Sequence, residues 1–231
     1  MSESTGPTDF GRKELKRFER EFLRYNDRAA RLNREFFQVH RILALHLLSC
    51  PGAGKTQLLL KTIERIKKRY YINVIDSYGC AGLDAGRYSK AGINALGVKA
   101  SEEGRLDAKL VGQTILARPL KDKGMVFIEG IGAKAYPMDL DLGETAKVSL
   151  FCPTQGEDKP FKFSHRVKGS DLVILTKSDL LPYLSFNKSA FVRALKLVHP
   201  KAELIELSAE TGEGMDEWIE WIAVQAKKQG D

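Results

Sequence analysis

Leu15, Phe18, Phe22, Tyr25, Ala29, Leu32, Phe36 and Val39 recur at alternating three- and four-residue steps, the spacing that lines one face of a helix. The pattern predicts a long amphipathic helix over residues 12–40. Two uses stay open for it: laid along its own domain, or offered to a partner or a second copy. Residues 1–11, small and polar, read as a disordered start. From Ile42 the period changes. Ile42–Ser49 is a continuous apolar run, as expected of a parallel strand buried on both faces. A helical stretch follows from Lys55 to about Arg69. Further β-rich runs fall at Tyr71–Ser77, Met125–Glu129, Val148–Cys152, Leu172–Thr176 and Leu204–Ser208. Helical segments are expected at Leu106–Arg118, Lys188–Val198 and Asp216–Lys227. There is no internal repeat and no Pro- or Ser-rich linker. The alternation predicts one α/β domain over residues 41–231, a mostly parallel sheet with helices on both faces.

Composition narrows the class. A chain of 231 residues, 43% apolar and 29% charged, can bury a full core without covalent staples. No apolar run approaches the roughly 18 residues of a membrane span, and the polar Met1–Asp9 start does not resemble a signal peptide. Three cysteines without C-x-x-C spacing argue against a disulfide framework and for a reducing, cytoplasmic setting. The net charge of +7 raises nucleic acid as a partner. Much of that excess is spread over helix faces such as Lys61–Arg69, and neither an aromatic-plus-glycine RNA signature nor zinc-finger spacing accompanies it. Nucleic acid is therefore not expected.

The candidate chemistry sits at strand ends. Ser49-Cys50-Pro51-Gly52-Ala53-Gly54-Lys55-Thr56 lies between a buried strand and a helix, the context of a phosphate-binding P-loop. Small residues there let N–H groups curl around phosphate oxygens at a helix N-terminus. Gly52, Ala53, Gly54, Lys55, Thr56 and Gln57 form this candidate site; Lys55 would reach the β- and γ-phosphates and the Thr56 hydroxyl would hold Mg²⁺. Ser49 replaces the usual first glycine of the pattern.

Thr176-Lys177-Ser178-Asp179 closes another apolar run. A carboxylate at Asp179 can accept from guanine N1–H and the 2-amino group, which adenine cannot supply. Sites that read a substrate donor in this way discriminate by about 10⁴-fold. The Lys177 stem would cover base and ribose, and Ser208-Ala209 would close over guanine O6. Phe127-Ile128-Glu129-Gly130-Ile131-Gly132 supplies an acidic strand end for Mg²⁺ at Glu129 and an N–H at Gly132 that could sense a γ-phosphate. The cofactors expected are GTP or GDP with Mg²⁺.

These residues resemble the nickel-incorporation GTPases that mature nickel–iron hydrogenases, the HypB type. The likeness runs from about Tyr25 to Trp221. It is carried by Asn26-Asp27-Arg28, the P-loop, Phe127-Ile128-Glu129, Asp141-Leu142-Gly143-Glu144, Gly156-Glu157-Asp158-Lys159-Pro160, Leu180-Leu181-Pro182-Tyr183 and Thr211-Gly212-Glu213-Gly214. The resemblance implies a SIMIBI-type P-loop GTPase with Lys55, Thr56 and Glu129 in the catalytic centre. It also implies a homodimer when GTP is bound, and a metalloenzyme precursor or an accessory protein as partner.

The resemblance breaks in two places. The family's Cys-His pair and a further Cys, which hold nickel or zinc between subunits, correspond to Gly104-Arg105 and Tyr136. None of these is an ordinary soft-metal ligand, so neither metal is expected there. The family's Gly-Asp after the second strand corresponds to Ser77-Tyr78, so hydrolysis is expected to be slow unless Asp76 or Asp84 substitutes. Cys50, Cys80 and Cys152, all near strand ends, with His165 close in sequence, are read first as incidental thiols and second as a relocated metal site.

Overall fold

A computed structural model of the chain describes residues 9–77, 83–98, 106–129 and 140–230. The strands are β1 (Leu43–Ser49), β2 (Ile72–Ser77), β3 (Asn94–Val98), β4 (Met125–Glu129), β5 (Ala146–Phe151), β6 (Leu172–Leu175) and β7 (Glu203–Glu206). They form one sheet in the order β3-β2-β4-β1-β5-β6-β7, and every neighbouring pair is parallel. The longer helices are α1 (Asp9–Val39), α2 (Lys55–Ile66), α3 (Leu83–Lys90) and α4 (Ala108–Ala117). Two short ones, α5 (Lys159–Lys162) and α6 (Ser164–Lys168), precede α7 (Lys188–Val198) and α8 (Met215–Gly230).

Both sheet faces are covered, which explains the unbroken apolar runs. Leu43, Leu45 and Leu47 of β1 face one way, with Val74, Phe127, Val148 and Ile174, beneath Leu59 and Ile63 of α2 and Trp218 of α8. The Trp218 indole N–H donates to Thr62 Oγ1 at 2.8 Å, so the largest buried side chain leaves no polar atom unmet. Ala44, Ile75, Val126 and Ile128 face the other way, against Phe37 of α1 and Val111 and Ile115 of α4. A third cluster joins Phe151, Val173 and Leu175 to Phe191 and Leu195 of α7. Helix starts follow local chemistry: the Asp107 side chain accepts from Leu110 N–H before α4, and Asn187 from Ala190 N–H before α7.

Three sequence expectations need correction. The first helix begins at Asp9, not residue 12, so residues 9–11 are helical; the following Arg-Lys-Glu-Leu-Lys run is rich in strong helix formers. Residues 1–8 lie outside the described residues. Second, β3 and α3 were not anticipated. Their sequences, Asn-Ala-Leu-Gly-Val and Leu-Asp-Ala-Gly-Arg-Tyr-Ser-Lys, mix glycine and polar residues and carry little periodicity.

Third, the buried seam of α1 is offset from the apolar stripe. Asn26, Ala30, Asn33 and Phe37 are buried, whereas Tyr25, Leu32 and Val39 are 55%, 64% and 79% exposed. The asparagines are inside because they satisfy backbone groups of other segments. Asn33 Nδ2 donates to Ala108 O at 2.7 Å and Leu142 O at 2.9 Å. Asn26 Nδ2 donates to Asp141 O at 2.7 Å, and its Oδ1 accepts from Ala108 N–H at 3.0 Å. Arg34 adds a two-oxygen ion pair to Asp141 at 2.7 Å. Gly143 lets this approach close: its φ is +85°, and a Cβ there would lie 2.3 Å from Ala30 O.

Candidate functional site

From Ser49, at the carboxyl end of β1, the chain turns through Cys50-Pro51-Gly52-Ala53-Gly54 into α2. Ser49 is buried and not among the residues with positive φ, so its Cβ is tolerated where the usual pattern has glycine. Gly54 is the α2 N-cap, at φ 82°; no side chain caps the helix and its first turn has no acidic residue. The first-turn N–H groups and the positive end of the helix dipole are thus available to an external anion. The loop also lies where the strand order reverses around β1, the crevice in which open α/β sheets bind ligands.

The segment after β6 is tied to that loop. Thr176 Oγ1 lies 2.6 Å from Ala53 O and 2.9 Å from Phe151 O, bridging the P-loop to β5. Lys177 adopts left-handed backbone geometry, φ 55°, and its Cε would be 3.4 Å from a Cβ placed on Gly54. The lysine stem therefore lies against the start of α2. Ser178 N–H donates to Leu207 O at 3.2 Å, joining this segment to the one after β7. There Ser208 is fully buried, and its Oγ accepts from Glu210 N–H at 3.2 Å and Thr211 N–H at 3.1 Å. Gly54, Gln57, Thr176, Lys177, Asp179, Ser208 and Ala209 line one recess of about 250 Å³ with Leu58, Leu180 and Glu210. The Asp179 carboxylate has no hydrogen-bond or ion-pair partner among the described residues.

Glu129 ends β4 beside the P-loop and is 2% exposed. Its Oε1 lies 3.6 Å from Lys55 Nζ and 3.5 Å from Thr56 Oγ1. Its Oε2 accepts a hydrogen bond from the Tyr88 hydroxyl of α3. Parallel pairing of β2 with β4 sets Asp76 directly beside Glu129. A hydroxyl and a carboxylate oxygen this close are the hard donors that Mg²⁺ takes alongside phosphate oxygens and water. The residues present fit that ion.

Comparison with known proteins agrees with this geometry. Residues 44–206 match the nucleotide-binding domain model of the CobW/HypB/UreG family. Hydrogenase maturation factor HypB of Escherichia coli K12 is 39% identical over 200 residues, covering 87% of this chain and 69% of that protein. The chain belongs to the HypB family. HypB of Azotobacter vinelandii is likewise 39% identical, over 90% of this chain and 69% of that protein. The crystal structure of Archaeoglobus fulgidus HypB superposes with a TM-score of 0.81 at 29% identity, covering 88% of this chain and all of that one. The fold is that of a SIMIBI-type P-loop GTPase.

Tyr78, Gly104, Arg105 and Tyr136, singled out as departures from the HypB pattern, fall outside the described residues, as do Gly132 and the candidate thiol Cys80. Of the thiols that are described, Cys152 is buried, with Sγ 3.0 Å from Thr154 Oγ1, and Cys50 Sγ lies 3.8 Å from the Arg166 guanidinium. Among the described residues no group of three or more His, Cys, Asp or Glu side chains could hold a metal. Sequence reasoning missed Tyr88 because a tyrosine in a short polar helix carries no motif. It missed the roles of Asn26 and Asn33 because buried asparagine looks like surface until its partners are known. A signal for them was present: the HypB-like Asn26-Asp27-Arg28 and Asp141-Leu142-Gly143-Glu144 segments prove to be hydrogen-bonded to each other.

Proposed function

We propose that this chain is a GTP-binding maturation factor for a metalloenzyme of the nickel–iron hydrogenase type, with a slow GTPase activity that times its dimer. The observation that carries the reading is the recess uniting Gly54, Lys177, Asp179 and Ser208, where the Asp179 carboxylate has no partner among the described residues and α2 starts without a side-chain cap. In this reading N–H groups of residues 52–56 cradle the phosphates, and Lys55 neutralises charge on the β–γ bridge. Asp179 accepts from guanine N1–H and the 2-amino group, the Lys177 stem covers the base, and Ser208-Ala209 closes over O6. Thr56 and Glu129 would hold Mg²⁺, which would supply charge stabilisation to the phosphoryl group in transfer. Gly132 N–H reports the γ-phosphate. Tyr78, where the family has aspartate, leaves the attacking water poorly held, so turnover is slow while affinity is kept.

A second reading keeps the same switch without metal cargo: a paralogue that docks or regulates a partner protein according to nucleotide. It is favoured by Gly104, Arg105 and Tyr136, which provide no soft donor at the family's nickel or zinc position. One experiment addresses the switch and its cargo. Light scattering and phosphate release are followed with GTP for wild type, Lys55→Ala and Tyr78→Asp, with elemental analysis of the dimer fraction. The expected result is a persistent GTP dimer in wild type, none in Lys55→Ala, and about tenfold faster phosphate release in Tyr78→Asp with little change in affinity. A monomer under saturating GTP contradicts the switch. Stoichiometric nickel or zinc in the dimer rejects the second reading.

A further inference from the structure

We infer that Tyr88 is a positioning residue for Glu129 and thereby sets the Mg²⁺ dependence of nucleotide binding; this rests on the proposed role of Glu129 above. Tyr88 is fully buried in the core beneath α3, yet its hydroxyl reaches the polar end of the sheet and donates to Glu129 Oε2. A buried phenol needs a partner, and a carboxylate is a strong acceptor. The bond occupies one oxygen of Glu129 and leaves the other, Oε1, directed at Thr56 Oγ1 and Lys55 Nζ. A glutamate side chain has three rotatable bonds, so contacts at one oxygen do not by themselves fix the direction of the carboxylate. Fastened at Oε2 to a ring packed in the core, it presents Oε1 in one place.

The test is Tyr88→Phe, which keeps the ring in the core and removes only the donor. Fluorescent GDP and a non-hydrolysable GTP analogue are titrated at a series of Mg²⁺ concentrations and in chelator. The Mg²⁺ needed for half-maximal GTP-analogue binding should rise about tenfold, as for other partners that orient a metal ligand. Affinity for GDP in chelator should stay at the wild-type value, because the P-loop and Asp179 are untouched. An unchanged or lowered Mg²⁺ requirement in Tyr88→Phe overturns the inference. So does an equal loss of affinity with and without Mg²⁺, which would mark a purely structural role. If wild-type binding of the triphosphate shows no Mg²⁺ dependence, the failure belongs to the assignment of Glu129, and the inference falls with it.

Discussion

Glu144 shows how one buried side chain can make stability depend on pH. Burial works against its charge; the His46 ring at 3.5 Å, the Lys147 ammonium at 3.1 Å and backbone N–H groups more than offset that, leaving the carboxyl at about 2. Leu142 N–H also donates to Oε2 at 2.7 Å, while Oε1 has no well-formed hydrogen bond among the described residues and faces the Lys147 ammonium. A carboxyl whose folded pKa lies below its ordinary 4.5 contributes stability above that value, and the contribution is lost as pH falls towards 2. The shift corresponds to about 3 kcal/mol at neutral pH. Glu144→Gln is therefore expected to cost roughly 2–3 kcal/mol at pH 7 in urea unfolding, and the gap to wild type should narrow steadily below pH 4.5. A gap of constant size down to pH 2.5 would contradict this account of the charge.

At the scale of elements, α1 is held by Phe37 in the core and by asparagines that reach the backbone of other segments, while Tyr25, Leu32 and Val39 of its apolar stripe stay exposed. Its asparagines fasten the start of α4 at Ala108 and the Asp141–Leu142 segment. Asn33→Leu, which leaves Ala108 O and Leu142 O without their donor, should destabilise by about 2–4 kcal/mol. Leu32→Ala, one residue away but largely exposed, should cost under about 0.5 kcal/mol. Denaturant midpoints for the two variants check the ordering, and the reverse ordering would mean the apolar stripe is the true seam. The same case shows what was legible beforehand. The period made a helix in α1 plain, but neither its start nor its buried face, because apolar spacing cannot report an asparagine whose partners lie 75 and 109 residues away. Conversely, β1 and β4 were legible almost to the residue, because burial on both faces leaves an unbroken apolar run.

For the molecule as a whole, strand–helix alternation predicted a parallel sheet, and the strand order adds why the motifs converge. β4, β1, β5 and β6 are consecutive neighbours in the sheet. Their carboxyl ends therefore bring Glu129, the P-loop and Asp179 to one edge, although they are far apart in sequence. The P-loop and the Thr176–Asp179 segment were readable because each is a short local pattern. Tyr88 was not, and Asp76 was named only as a substitute for the family's aspartate, since their relation to Glu129 depends on α3 packing and on the β2–β4 register. In the proposed function this edge reads guanine through Asp179, and competition binding measures that preference. Wild type should prefer GTP over ATP by about 10⁴-fold, as expected when an acceptor that the bound base covers would be left unpaired. Asp179→Asn should lose GTP affinity and prefer xanthosine triphosphate, whose 2-oxo group suits an amide donor. Equal affinity of the wild type for ATP and GTP would contradict the account.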